Sequence, residues 1–98
     1  MTPRRVRFRP SFLHARKKLT PSQQAAVDTA VQHFINRSNE NALRVEYKQG
    51  LDCWAFRVNS GWRVFYVLVK EMDGKVSELF HVGPHDDYDT VRAKVPRH

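Results

Sequence analysis

The stretch from Cys53 to Val82 decides most of the architecture. It holds three runs of β-branched and aromatic residues, Cys53 to Asn59, Arg63 to Lys70 and Val76 to Val82, separated by Ser60-Gly61 and Asp73-Gly74. A dipeptide ending in glycine between two such runs reads as a hairpin turn, because glycine accepts the backbone geometry that the turn demands. Three strands joined by two tight turns form an antiparallel meander. The middle strand is apolar on both sides, with Phe65, Val67 and Val69 on one and Val64, Tyr66 and Leu68 on the other. Helices are therefore predicted over one face, with the other face concave and partly occupied.

The helices come from upstream. Thr20-Pro21 combines a capping hydroxyl with proline at the first helical position, where its missing N–H costs nothing. Ala26, Val27, Ala30, Val31, Phe34 and Ile35 then recur at helical spacing. Before them, Ser11 is a candidate N-cap for a shorter helix from Phe12 to Lys18, which carries Phe12, Ala15 and Leu19 on one stripe. Residues 4 to 9 alternate arginines with Val6 and Phe8, the pattern of a half-buried strand with a basic outer face that Pro10 ends. Asn36 to Asn41 reads as a loop. Residues 43 to 48 fit a short strand or an extended loop, and His85 to Lys94 one or two helical turns. The expected fold is α+β and a single domain over residues 1–98. A two-helix hairpin packs on a four-stranded, mainly antiparallel twisted sheet, in the order β-α-α-β-β-β.

Composition narrows the function. The 98 residues carry 17 Lys and Arg against 10 Asp and Glu, a net charge of +7, which points to a polyanionic partner. Seven of those cations (Arg4, Arg5, Arg7, Arg9, Arg16, Lys17 and Lys18) fall in the first 18 residues, where no acid occurs. The longest apolar run is the six residues Val64 to Val69, too short to span a bilayer. No apolar stretch follows the basic N-terminus, so no secretory signal is expected and the protein is placed in the cytoplasm. One cysteine, Cys53, excludes a disulfide framework within the chain and any multi-cysteine zinc site.

Residues 54–66 read WAFRVNSGWRVFY, residues 79–89 read LFHVGPHDDYD, and SFLHARKKL precedes the long helix. These pieces, in this order, resemble the RelE/ParE toxin superfamily. VGPHDDYD is similar to the Gly-x-His-x-x-Tyr end of its HigB-like mRNA interferase branches. The resemblance implies a toxin of a bacterial toxin–antitoxin pair, with a cognate acidic antitoxin as partner. Most members cleave mRNA in the decoding site of the ribosome, whereas the ParE branch poisons DNA gyrase. An inactive RNA-binding relative is the third alternative. Some interferases carry lysines on the strand where this chain has Trp54 and Phe56, which leaves a mechanism built on arginine, histidine, tyrosine and a carboxylate.

Cutting RNA without a metal takes a base for the 2′-hydroxyl, cationic donors for the phosphate and an acid for the leaving oxygen. Arg63 is the candidate phosphate clamp, since guanidinium offers a rigid fork of donors. Arg57 joins it only if the hairpin loop is the three residues Asn59 to Gly61, because a two-residue loop pairs Arg63 with Val58 instead. His85, on a loop after Gly83-Pro84, is the proton-transfer candidate. Tyr88 could stack a base or donate from its hydroxyl, and Glu46 is either a general base or an ion-pair partner of Arg44 or Lys48. Arg5, Arg7, Arg9, Arg16, Lys17 and Lys18 are the expected RNA-holding cations. His81 reads as a satisfied sheet histidine. Asp86, Asp87 and Asp89 read as dipole complements at a helix start, so neither a metal nor any other cofactor is expected.

Overall fold

The computed structural model describes residues 2–96. Strand β1 (Val6–Phe8) leads into helices α1 (Pro10–Lys17), α2 (Pro21–Asn36) and the short α3 (Glu40–Leu43). Strands β2 (Glu46–Lys48), β3 (Cys53–Arg57), β4 (Trp62–Glu71) and β5 (Gly74–Pro84) follow, and α4 (Tyr88–Lys94) closes the order. The sheet runs β1-β5-β4-β3-β2, with β1 parallel to β5 and every other pair antiparallel.

The class is the expected one, but the sheet has five strands where four were expected. The fifth is β2, from the ambiguous stretch 43–48. Three residues are too few for alternation to declare a strand, and β2 forms because Tyr47 finds Trp54 opposite it on β3. The Asn36–Asn41 loop is shorter than its polarity suggested. Helix α2 runs to Asn36, the left-handed Arg37 (φ 55°) caps it, and α3 begins at Glu40.

Local chemistry explains the helix starts. The Thr20 hydroxyl accepts from Gln23 N, and the Gln23 side chain accepts in return from Thr20 N, a reciprocal capping box with Pro21 in the first turn. Helix α1 starts earlier than expected. Arg9 is its N-cap and Pro10 its first residue, because a proline that ends a strand also begins a helix readily. Ser11 caps nothing, and its hydroxyl donates to Phe80 O at 2.5 Å, just past the end of β1.

The sheet carries a core on each face. On one, Phe12, Val27, Val31 and Phe34 from the helices meet Phe56, Val64, Tyr66, Leu79 and Val82, with Ile35 partly buried beside them. Phe34 stacks on Phe56 with ring centroids 4.4 Å apart. On the other face, Cys53, Ala55, Phe65, Val67 and Phe80 are covered by Leu51 and by Val91 of α4. Arg63, two positions before Phe65, shares this second face.

Candidate active site

The β3–β4 hairpin takes the three-residue loop. Val58 N donates to Trp62 O at 3.0 Å, and Arg57 stands directly opposite Arg63. Asn59 explains the choice. Its side-chain oxygen accepts from both Gly61 N and Trp62 N at 3.0 Å, closing the loop on itself. Arg63 Nη1 donates to Asn59 O and Trp62 O, each at 3.0 Å, so one nitrogen anchors the guanidinium and its other donors stay unused. Neither arginine has an ion-pair partner among the described residues. Like charges directly opposite on neighbouring strands repel, so this pairing works against the fold.

The segment after β5 is tied to the same hairpin. Trp62 pairs with Pro84, and His85 N donates to Gly61 O at 2.8 Å, which sets the exposed His85 beside the start of β4. The turn closes through Asp87 N on Pro84 O, and Tyr88, first in α4, is 47% exposed. Asp87 caps no helix N–H with its side chain. Its Oδ2 lies 3.2 Å from Nε2 of His81, a residue only 5% exposed and stacked near Phe65.

Other groups are less well placed for chemistry. Glu46 shares the face of Ala55 and Phe65 by register, yet it lies on the edge strand and is held 2.7 Å from Lys48 Nζ. Burial pushes the Cys53 thiol up to about 11, which removes it as a nucleophile. Among the described residues no group of three or more His, Cys, Asp or Glu side chains could hold a metal ion.

No protein-family model and no curated protein matches the sequence. Solved structures do match. The RelBE2 toxin–antitoxin complex of Mycobacterium tuberculosis is similar at 20% identity and a TM-score of 0.56, over 85% of this chain and 99% of that one. The YoeB/ParE toxin of Agrobacterium tumefaciens is similar at 11% identity and 0.61, over 83% and 98%. The archaeal RelE–RelB complex of Pyrococcus horikoshii OT3 is similar at 19% identity and 0.58, over 89% and 99%. The chain has the RelE/ParE toxin fold.

On this RelE/ParE fold, Arg57, Arg63 and His85 gather at one end of the meander, with Tyr88 on the segment that follows, while Glu46 lies apart on β2. The cations expected to hold RNA divide in two. Arg7 and Arg9 lie 2.6 and 3.0 Å from Glu78, a carboxylate 3% exposed, and Arg5 pairs with Asp73 at 2.7 Å. Burial by itself would raise the Glu78 carboxyl, but the hydrogen bonds and charge of Arg7 and Arg9 outweigh it and hold the group below its ordinary range. Arg16 pairs with Asp28 at 2.6 Å. Lys17 and Lys18 are exposed and unpaired among the described residues. Sequence reasoning missed the His81–Asp87 contact. Its trace in the sequence is Gly83, where an added Cβ would meet His81 Nε2 at 2.9 Å.

Proposed function

We propose that this protein is the toxin of a toxin–antitoxin pair, and that it is an endoribonuclease cutting mRNA on the ribosome. The observation that carries the reading is the opposed pair Arg57 and Arg63, without a carboxylate partner among the described residues, beside His85. A repulsive pair kept at the end of a strand is expected where a phosphate relieves it.

In this reading the free donors of Arg63 hold the scissile phosphate and Arg57 adds charge as the pentacovalent state develops. The ribose 2′-hydroxyl gives its proton to solvent water and attacks the adjacent phosphorus, and the P–O5′ bond breaks to leave a 2′,3′-cyclic phosphate, which limits the substrate to RNA and needs no metal. His85, exposed and anchored through its backbone, donates a proton to the leaving 5′-oxygen. Tyr88 stacks a neighbouring base or donates from its hydroxyl, and Glu46 assists only if Lys48 releases it. Lys17 and Lys18 supply the charge that meets ribosomal phosphate. Two of the similar structures are a toxin–antitoxin complex and a RelE–RelB complex, which supports an antitoxin as partner here, acidic to match the +7 charge.

Pulse labelling after induced expression tests the reading. An early stop in protein synthesis with DNA synthesis continuing is expected. An early stop in DNA synthesis would overturn it in favour of a gyrase poison.

A further inference from the structure

A cavity of about 280 Å³ opens on the helix-bearing face, farther along β4 than Arg63 and on the opposite side of the sheet. Trp54, Tyr66 and Ser77 form its floor and share one face by register, Trp54 opposite Tyr66 and Ser77 opposite Leu68. Its walls bring Arg4 and Arg5 from the start of the chain, Arg37 from the end of α2 and Lys75 from β5, and no Asp or Glu lines it.

Two features of this cavity have no structural use. Tyr66 and Ser77 are 3% and 4% exposed, and neither hydroxyl has a hydrogen-bond partner among the described residues. Both hydroxyl oxygens open onto the cavity, since His81 Nδ1 alone among the described residues is a buried side-chain polar atom without a partner, and two unpaired hydroxyls facing one cavity are donors available to a bound acceptor. The charge points the same way. Glu40 compensates Arg4, and Asp73 compensates Arg5. Among the described residues Arg37 has no carboxylate partner, spending only Nε on Thr2 O at 2.8 Å, and Lys75 is unpaired. The donors left over are two hydroxyls below, a guanidinium fork and an ammonium.

We propose that this cavity binds a phosphate monoester. A tetrahedral dianion presents three terminal oxygens in different directions and accepts from floor and walls together, whereas a carboxylate offers two oxygens in one plane. Burial pushes the Tyr66 hydroxyl up to about 12, so it stays a donor beside the anion. The partly exposed indole of Trp54 in the floor offers a flat apolar surface to whatever the phosphate carries. The site does not depend on the proposed nuclease activity.

The test titrates the full-length protein with inorganic phosphate, adenosine 5′-monophosphate, acetate and a single-stranded DNA oligonucleotide lacking a terminal phosphate, following the Trp54 indole N–H by NMR. Phosphate and the nucleotide are expected to move that signal, and acetate to bind at least about tenfold more weakly. Tyr66→Phe and the exposed Lys75→Gln should each weaken phosphate binding by about tenfold with the melting temperature kept. The proposal is overturned if the Trp54 signal stays fixed or Tyr66→Phe binds as wild type does. Acetate binding as tightly as phosphate, or the oligonucleotide as tightly as the nucleotide, would also overturn it, in favour of a carboxylate or a phosphodiester.

Discussion

His81 Nε2 lies 3.2 Å from Asp87 Oδ2, so the last strand of the sheet holds the turn that precedes Tyr88. The carboxylate accepts, so Nε2 carries the ring proton, and Nδ1 is buried without a partner among the described residues. The contact needs Gly83 between its two partners. A methyl there would stand 2.9 Å from His81 Nε2 and 3.2 Å from Asp87 Oδ2. Gly83→Ala is therefore expected to part the pair and to cost about 1–3 kcal/mol in urea denaturation. Faster hydrogen exchange at Val91 N, which donates to Asp87 O, would place the damage at the turn.

The same pair sets a pH dependence. Burial pushes the His81 imidazole below its ordinary range; Asp87 pulls the other way, and Lys94 and Lys18 add to the lowering. The unfolded chain thus takes up this proton first as the pH falls. The stability contributed by the neutral ring is complete above about pH 6.5 and is lost as the pH drops toward the folded-state value. His81→Gln should flatten the fall in stability between about pH 6.5 and pH 5, where carboxylates are still ionised. An unchanged slope in that variant would remove His81 as the cause.

Arg57 should trade stability against function. It repels Arg63 across the hairpin. Arg57→Gln is expected to raise stability by about 0.2–1 kcal/mol while lowering cleavage. Denaturation midpoint and cleavage rate, measured on the same preparation, check both halves.

Much of this fold could be read ahead of the structure wherever a pattern was long enough to repeat. The α2 stripe from Val27 to Phe34 and the two glycine turns are such patterns. Strand β2 was not, because three residues carry no period and its pairing with β3 is tertiary. The hairpin register was likewise open until the Asn59 side chain closed the loop on Gly61 and Trp62. For the candidate site, residue type singled out Arg63 and His85, but charge counting could not show which cations of the basic N-terminal segment have carboxylate partners. Arg7 and Arg9 are spent on Glu78, which lies about 70 residues away along the chain and next to them only in the fold.

Lys17 and Lys18 are the exposed members of that basic segment without a carboxylate partner among the described residues. Reversing both to Glu should weaken ribosome binding and reduce the slope of log K against log salt by about 1–2 units. Arg7→Gln, in contrast, should leave the slope nearly unchanged, since its charge already faces Glu71 and Glu78. Equal slopes for the Lys17/Lys18 variant and wild type would remove these lysines from the interface.

Cleavage of a defined mRNA on purified programmed ribosomes, mapped by primer extension, tests the nuclease reading most directly. Wild-type protein is expected to give a cut in the decoding site that persists when chelator is added under conditions keeping the ribosome intact. Arg63→Ala should slow the cut by about 10²–10³-fold and His85→Ala by about 10²–10⁴-fold, with both variants folded and still bound to the ribosome. An intact message with wild-type protein, or wild-type rates from both variants, would contradict the placement of the chemistry at Arg63 and His85.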